Sequence, residues 1–397
     1  MKVKMSVEDL NKELVTLKML FDNGAIPEDQ KNLIFWASKD GFKVIARNSS
    51  IDCICSVKAE VEAELDEMVH VRYKELDTVL NAFKSLSMTK ATDISFDFLE
   101  RAINVVVFEE PIDTEYEFAD KLYRQNRFTL SLVRAVTDSV KKELLDVSFS
   151  DEGTPVNGED ILKYFNALIP TVRDVKQAGV ATRFNVVGEY MYTTPQQFVA
   201  VMRNDIKEFA DFILTKASAE FVRVFFSNEP VTNVYIQENS NGSKMIRLTN
   251  GGSCALVKAQ GVANAFDITR YVDMPKDGVV VDKKYFCDVL RRLTDSKEAV
   301  KFIITPDEIV LRQSRAELAV PVIMNRLPDG FDKVSISIAL ATLQNIVFAH
   351  FIAGDKLFVY FTEGNNNKLD VTFTDDSQTA DGSHLWWTKA AYRKNSI

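Results

Sequence analysis

The stretch "VVVDKKYFCDVLRRLTDSKEAVKFIITPDEIVL", residues 279–311, holds the unit from which the rest of the chain can be read. Phe286, Val289, Leu290 and Leu293 recur at the spacing of one helix face, so residues 283–295 are expected to form a helix lying on a sheet. Two alternating apolar runs follow, broken by "PDE" at 306–308, which predicts a pair of strands. The polar side of the helix carries Lys283, Lys284, Arg291 and Arg292 against Asp288 and Asp295, four bases less two acids, or +2. The whole chain, with 48 Lys+Arg and 57 Asp+Glu, stands at −9. A solvated helix face accounts for such a run by itself. The other explanation is a surface that gathers bases on an otherwise acidic protein.

Five further stretches repeat the helical stripe. They are Val7, Leu10, Leu14, Leu17 and Phe21; Leu76, Val79, Leu80, Phe83 and Leu86; and Ile161, Leu162, Phe165, Leu168 and Val172. The last two are Ile206, Phe209 and Ile213, and Ile336, Leu340, Leu343 and Val347. A hairpin-like pair of strands is expected after each helix. Three of these pairs resemble one another: "DISFDFLERAINVVVF" (93–108), "EFVRVFFSNEPVTNVYI" (220–236) and "DKLFVYFTEGNNNKLDVTF" (355–373). The others are "NLIFWASKDGFKVIA" (32–46), "TRFNVVGEYMYTTPQQFVAVM" (182–202) and the pair in the opening quotation.

The unit of helix plus strands thus occurs twice per domain, and the domain three times. A period above 100 residues points to duplicated domains rather than a short-repeat solenoid. The expected domains are 1–136, 137–262 with a linker at 137–156, and 263–397 with a linker at 263–278; both linkers lack clean periodicity. The fold class is α+β with antiparallel sheets.

Motifs for catalysis are missing from the sequence. There is no phosphate loop, no G-x-G-x-x-G opening a helix, no nucleophile elbow and no H-E-x-x-H. The histidines, His70, His350 and His384, are far apart, so no metal site is expected. Acid pairs such as Glu109–Glu110 and Asp375–Asp376 fall at strand ends or turns, where carboxylates are solvated. The expectation is a non-enzyme without cofactors. Cys53, Cys55, Cys254 and Cys287 read as reduced thiols. No run of about 18 apolar residues occurs and "MKVKMSVEDLNKEL" has no apolar signal core, so a cytoplasmic chain with no membrane partner is expected.

Three tandem domains of this make-up, acidic in total and without catalytic motifs, resemble a DNA polymerase sliding clamp. The layout is similar to the three-domain bacterial β clamps, with phage clamps and PCNA as cousins. Residues 279–311 are similar to the start of the third clamp domain, and "YMYTTPQQFVAVM" (190–202) falls where β clamps have the strand–turn "VATDGHRLAV". "SHLWWTKAAYR" (383–393) falls where the family has its last strand and apolar tail. The chain departs from the family at Thr194-Pro195-Gln196-Gln197, and its segment 112–150 is longer and more charged.

The resemblance implies a homodimeric ring around duplex DNA, sheets outside and helices inside, tethering a replicative polymerase and opened by a clamp loader. Alternatives are a monomeric viral-type processivity factor and a structural or assembly protein of duplicated β-rich domains. Bases implied to face DNA are Lys12, Lys18, Lys84, Lys163, Arg173, Lys176, Arg203, Lys207, Lys216, Lys284, Arg291 and Arg292. Contacts to phosphate alone suit a protein that slides. Dipole complementation, acids in first turns and bases in last ones, explains much of the same charge order. The resemblance also implies a pocket for partner peptides, with Thr193, Thr194, Pro195 and Phe198 on one wall and Leu385, Trp386 and Trp387 on the other. Neighbours on a strand point to opposite faces, so one indole enters a core and the other needs a different cover. Internal packing of both tryptophans is the competing explanation.

Overall fold

Alternation along the strands builds two large antiparallel sheets, and helices pack against them. The computed structural model describes residues 2–22, 27, 31–38, 41–62, 68–148, 153–172, 183–195, 198–228, 231–250, 253–294, 298–348, 354–363, 368–379 and 382–395. Contacts gather the chain into two units, one of Met1–Gly158 with Val224–Ala259 and one of Glu159–Arg223 with Gln260–Ile397.

The first unit contains β1 (Lys2–Ser6), β2 (Asn32–Ser38), β3 (Gly41–Arg47), β4 (Ile51–Val57), β5 (Ala59–Val61) and β6 (Val69–Arg72). It continues with β7 (Thr89–Phe98), β8 (Ala102–Pro111), β9 (Arg124–Ala135) and β10 (Thr154–Asn157). The second unit opens with β11 (Phe184–Val187), β12 (Tyr190–Thr193), β13 (Val199–Arg203) and β14 (Phe212–Leu214). The chain then returns to the first unit for β15 (Val231–Glu238), β16 (Lys244–Asn250) and β17 (Ser253–Ala259). The second unit resumes with β18 (Gly278–Asp282), β19 (Ala299–Ile304), β20 (Glu308–Gln313), β21 (Ala316–Arg326) and β22 (Val334–Ala339). It closes with β23 (Lys356–Glu363), β24 (Lys368–Asp375) and β25 (Trp386–Arg393).

In the first unit the sheet order is β10-β15-β16-β17-β4-β3-β2-β6-β9-β8-β7-β1-β5. Helix α1 (Val7–Asp22) begins where the Ser6 hydroxyl accepts from the Glu8 N–H at 3.1 Å, with Glu8 and Asp9 on the positive end of its dipole. Its buried stripe of Leu10, Leu14, Leu17 and Phe21 packs on β3, β4 and β7. Beneath it, the ring of Phe35 meets Phe42 at 5.2 Å and Phe96 at 5.3 Å. Each such buried ring contributes roughly 1.5–3 kcal/mol. Helices α2 (Tyr73–Asn81) and α3 (Asp138–Ser148) also belong to this unit.

In the second unit the order is β14-β11-β12-β13-β25-β24-β23-β18-β21-β20-β19-β22. Its helices are α4 (Gly158–Leu168), the first part of α5 (Lys216–Asn228), α6 (Lys283–Arg292) and α7 (Leu340–Phe348). The chain crosses back to the first unit within α5, between Arg223 and Val224. Helix α6 is capped by Asp282, whose carboxylate accepts from the Tyr285 N–H at 2.7 Å. Gly278 is required at its place in β18, because a Cβ there would lie 2.4 Å from the Val359 carbonyl oxygen.

The expected α+β class with antiparallel sheets is what the structure has. Several elements differ from the expected ones. The stretch of Ile206, Phe209 and Ile213 does not form a helix, and "EFVRVFFSN" is helical, within α5, rather than a strand. Phe221, Val222, Phe225 and Phe226 are all buried at i, i+4 spacing, a stripe that the alternating aromatic pattern concealed. Ahead of it, the Asn204 side chain bonds the carbonyls of Gly188 and Phe209, and Asp211 takes φ +65°, which breaks any helix there. Ile336 lies on β22, ahead of α7, and α2 ends at Asn81, before Phe83 and Leu86. The stretch 137–156, read as aperiodic, contains α3.

Candidate functional site

Trp386 and Trp387 lie side by side on β25 and point to opposite faces of the second unit's sheet. Both are at most 1% exposed. Trp386 belongs to the helix side, where the Lys283 ammonium lies 5.7 Å from its ring centroid. It therefore does not share a face with Trp387, and the expected wall of Leu385, Trp386 and Trp387 loses its middle member.

Trp387 is the centre of the other face. It packs with buried Tyr192, Val199 and Val201, and the half-buried Val187, Tyr190, Ile268, Tyr271, Val272 and Met274 close around that cluster. Residues 266–274 strap across the strands and are held there by three bonds. The Trp387 indole N–H donates to the Tyr271 carbonyl at 2.7 Å, the Tyr192 hydroxyl donates to the Phe266 carbonyl at 2.7 Å, and the Lys389 ammonium donates to the Arg270 carbonyl at 3.0 Å. Burial, with the nearby Asp267 carboxylate, pushes the Tyr192 hydroxyl up to about 12, so it stays a donor at neutral pH.

The apolar cluster continues past Met274 to the buried Val280, Phe358 and Tyr360. Phe358 stacks on Tyr360 at 5.8 Å, and His384 meets both rings edge-on at 5.5 and 6.2 Å. Cations stand over the aromatic rings: Arg203 is 5.1 Å from the Tyr190 ring and Arg326 is 5.6 Å from Phe358. An aromatic surface with guanidinium groups beside it can take an extended apolar segment that carries a carboxylate.

The structure brings the two expected walls together, since β12, β13 and β25 are neighbours and Val201 pairs with Trp387. Thr193 is fully buried, its hydroxyl bonded to that of Thr171. Thr194 is half-buried and Pro195 buried, Phe198 is 6% exposed, and Leu385 is buried with its carbonyl accepting from the Arg203 N–H at 2.9 Å. None of the five belongs to the cluster around Trp387, and Thr193, next to Tyr192 on β12, points to the opposite face. The accessible lining is instead Tyr190, Ile268, Tyr271, Val272 and Met274, which sequence reasoning missed. Tyr190 stood in the quoted "YMYTTPQQFVAVM", and the signal for the other four was the apolar content of "FDITRYVDM" inside a stretch read as linker.

The expected DNA-facing bases divide by element. Lys12 and Lys18 are exposed on α1, Lys163 is exposed on α4, and Lys284, Arg291 and Arg292 are exposed on α6. Lys216 is half-buried at the start of α5, and Lys84 is exposed beyond α2. Arg291 pairs with Asp288 at 2.7 Å. Arg203 and Lys207 are not on a helix: Arg203 ends β13, paired to Glu189 at 3.5 Å, and Lys207 is in the following turn. Arg173 and Lys176 lie outside the described residues. Lys283, the first base of the opening helix, is interior and paired with Asp375. Among the described residues no cluster of His, Cys, Asp and Glu could hold a metal ion, and no helix is long and apolar enough to cross a membrane.

No protein-family model and no curated protein matches the chain. Solved structures do match, end to end. The DNA polymerase III beta subunit of Thermotoga maritima is 13% identical with a TM-score of 0.69, each chain covered in full. Caulobacter crescentus pol III beta is 15% identical with a TM-score of 0.70, again covering 100% of both chains. The Pseudomonas aeruginosa sliding clamp solved with griselimycin bound gives the same identity, TM-score and coverage. At such identities the likeness establishes the fold, which is clamp-type over the whole chain.

Proposed function

We propose that this chain is a DNA sliding clamp: a non-catalytic ring that encircles duplex DNA and tethers a replicative polymerase in the cytoplasm. The end-to-end likeness to polymerase III beta subunits carries the reading. Three clamp domains, at 1–136, 137–262 and 263–397, would give a six-domain ring from two chains joined head to tail. Helical bases would attract phosphate without reading sequence, and the Trp387 face would hold apolar peptides from the polymerase and the clamp loader.

Two free strand edges support the junction. Among the described residues, 124–130 of β9 pair with β8 on one side only, and 316–321 of β21 pair with β20 on one side only. Unpaired edges of this kind invite pairing with another chain. Leu290 and Leu293 are 0% and 3% exposed within their own chain, so they belong to its core and offer no apolar surface to the junction.

Electron-microscope class averages test the reading. A closed ring with a duplex-sized hole is expected. Isolated crescents at micromolar chain would favour a monomeric processivity factor, and filaments or shells would favour an assembly protein.

A further inference from the structure

Between Pro111 at the end of β8 and Arg124 at the start of β9 the chain makes a twelve-residue connection. Neighbouring antiparallel strands need only roughly two to five. The extra length is ordered by its own bonds. At its root the Glu109 carboxylate accepts from the Thr89 hydroxyl at 2.6 Å and from the Asn126 amide, and the Ile112 N–H donates to the Met88 carbonyl at 2.9 Å. Further out, the Asp113 carboxylate accepts from the Glu115 N–H at 2.9 Å, and a helical turn at Ala119–Lys121 buries Ala119. Tyr116 meets Phe118 edge-on at 6.0 Å, and the Lys121 ammonium lies 4.9 Å from the Phe118 ring.

This ordered connection nonetheless leaves Ile112 55%, Tyr116 42%, Phe118 45% and Tyr123 54% exposed. Among the described residues, neighbouring exposed apolar groups also occur on β21, where Ile323 is 55% and Met324 41% exposed. Ordered apolar groups held in water mark a contact surface. Their positions correspond. If 124–130 of one chain pairs antiparallel with 316–321 of another, the residues before Arg124 fall at the Pro321 end of that edge, where Ile323 and Met324 follow.

We infer that residues 112–123 are a clasp onto a second copy of this chain, with Tyr116, Phe118 and Tyr123 covering Ile323 and Met324 of that copy. The inference rests on the ring reading and adds to it the residues that hold the ring shut. Rigid aromatic rings lose little entropy on docking, so they suit a junction that must open and reclose.

The test is self-association measured by sedimentation over a dilution series. Tyr116→Ser with Phe118→Ser, and separately Ile323→Ser with Met324→Ser, should each weaken the dimer at least about tenfold, roughly 1.4 kcal/mol. All four together should lose less than the sum, because the two sets touch. Melting curves of each variant check its fold. Phe118→Cys with Ile323→Cys should give an oxidised inter-chain crosslink, which a Phe118→Cys, Val231→Cys control should not. If wild type dimerises but these variants dimerise equally well and do not crosslink, the clasp is wrong, the loop serves another protein, and the ring reading survives. If wild type is a monomer, both are wrong.

Discussion

The Lys283 ammonium donates to the Asp375 carboxylate at 2.5 Å in the interior of the second unit, their side chains 6% and 0% exposed. The remaining oxygen of Asp375 accepts from the Ser377 N–H at 2.9 Å, so the buried charge is satisfied on both sides. The pair ties the start of α6 to the end of β24, and it removes one base from the helix that first suggested a DNA-facing surface. Replacing one partner alone, by Asp375→Asn or Lys283→Met, should destabilise the fold by about 3–5 kcal/mol, because the other charge stays buried. The double variant should recover part of that loss. Gly354→Ala should also be costly, since its Cβ would come 2.5 Å from the Asp375 carboxyl carbon. Thermal melting checks all four; Asp375→Asn or Lys283→Met as stable as wild type would contradict the pair's role.

The bases that remain on α6 make a separate prediction. Lys284→Ala, Arg291→Ala and Arg292→Ala together should weaken retention on DNA while stability stays within about 0.5 kcal/mol, as the positions are exposed. If each contacts a phosphate, the slope of log affinity against log salt should fall by about 3. An unchanged slope would make this face merely solvated.

For the apolar face, the informative residues are the accessible ones. Trp387→Ala should cost about 3–5 kcal/mol by leaving a cavity, so it reports on folding rather than binding. Val272→Ser with Met274→Ser should lower affinity for a Leu- and Phe-bearing peptide at least about tenfold, with melting nearly unchanged. Calorimetric titration and melting on the same samples decide it. Unchanged affinity would remove the face as a partner site.

Burial pushes the hydroxyls of Tyr164 and Tyr192 up to about 12 from an ordinary value of 10.0. Both are raised, so their contribution to stability is complete below pH 10 and is lost as pH rises through about 12. Melting temperature should therefore fall across that window, and Tyr192→Phe should shrink the fall. The buried thiols are likewise pushed up, Cys55 first by its hydrogen bond with Cys53 and then by burial, Cys254 and Cys287 by burial, so native protein should label slowly at pH 8 and denatured protein quickly.

Much of this was legible in the sequence where one period dominated. Helix α1 and the β7–β8 and β23–β24 hairpins follow their apolar spacing. Helix α5 was not legible, because Phe221, Val222, Phe225 and Phe226 satisfy a helical and a strand pattern at once, and only burial on a neighbouring sheet decides between them. The opposed faces of Trp386 and Trp387 follow from strand geometry, but what covers Trp387 does not. That cover is residues 266–274, fixed by backbone carbonyls of Phe266, Arg270 and Tyr271, and carbonyl acceptors leave no trace in residue type. Lys283 looked like its three basic neighbours, since nothing in the local sequence announces an acid partner 92 residues away.

The central claim, a ring closed around duplex DNA, is tested most directly by topology. Load the chain on a nicked circular plasmid with a clamp loader, isolate the complex by gel filtration at moderate salt, then cut the plasmid once. A ring should remain with the circle and run off the linear ends, with retention on the circle largely insensitive to salt. Equal retention on circular and linear DNA, or loss from both as salt rises, would contradict it.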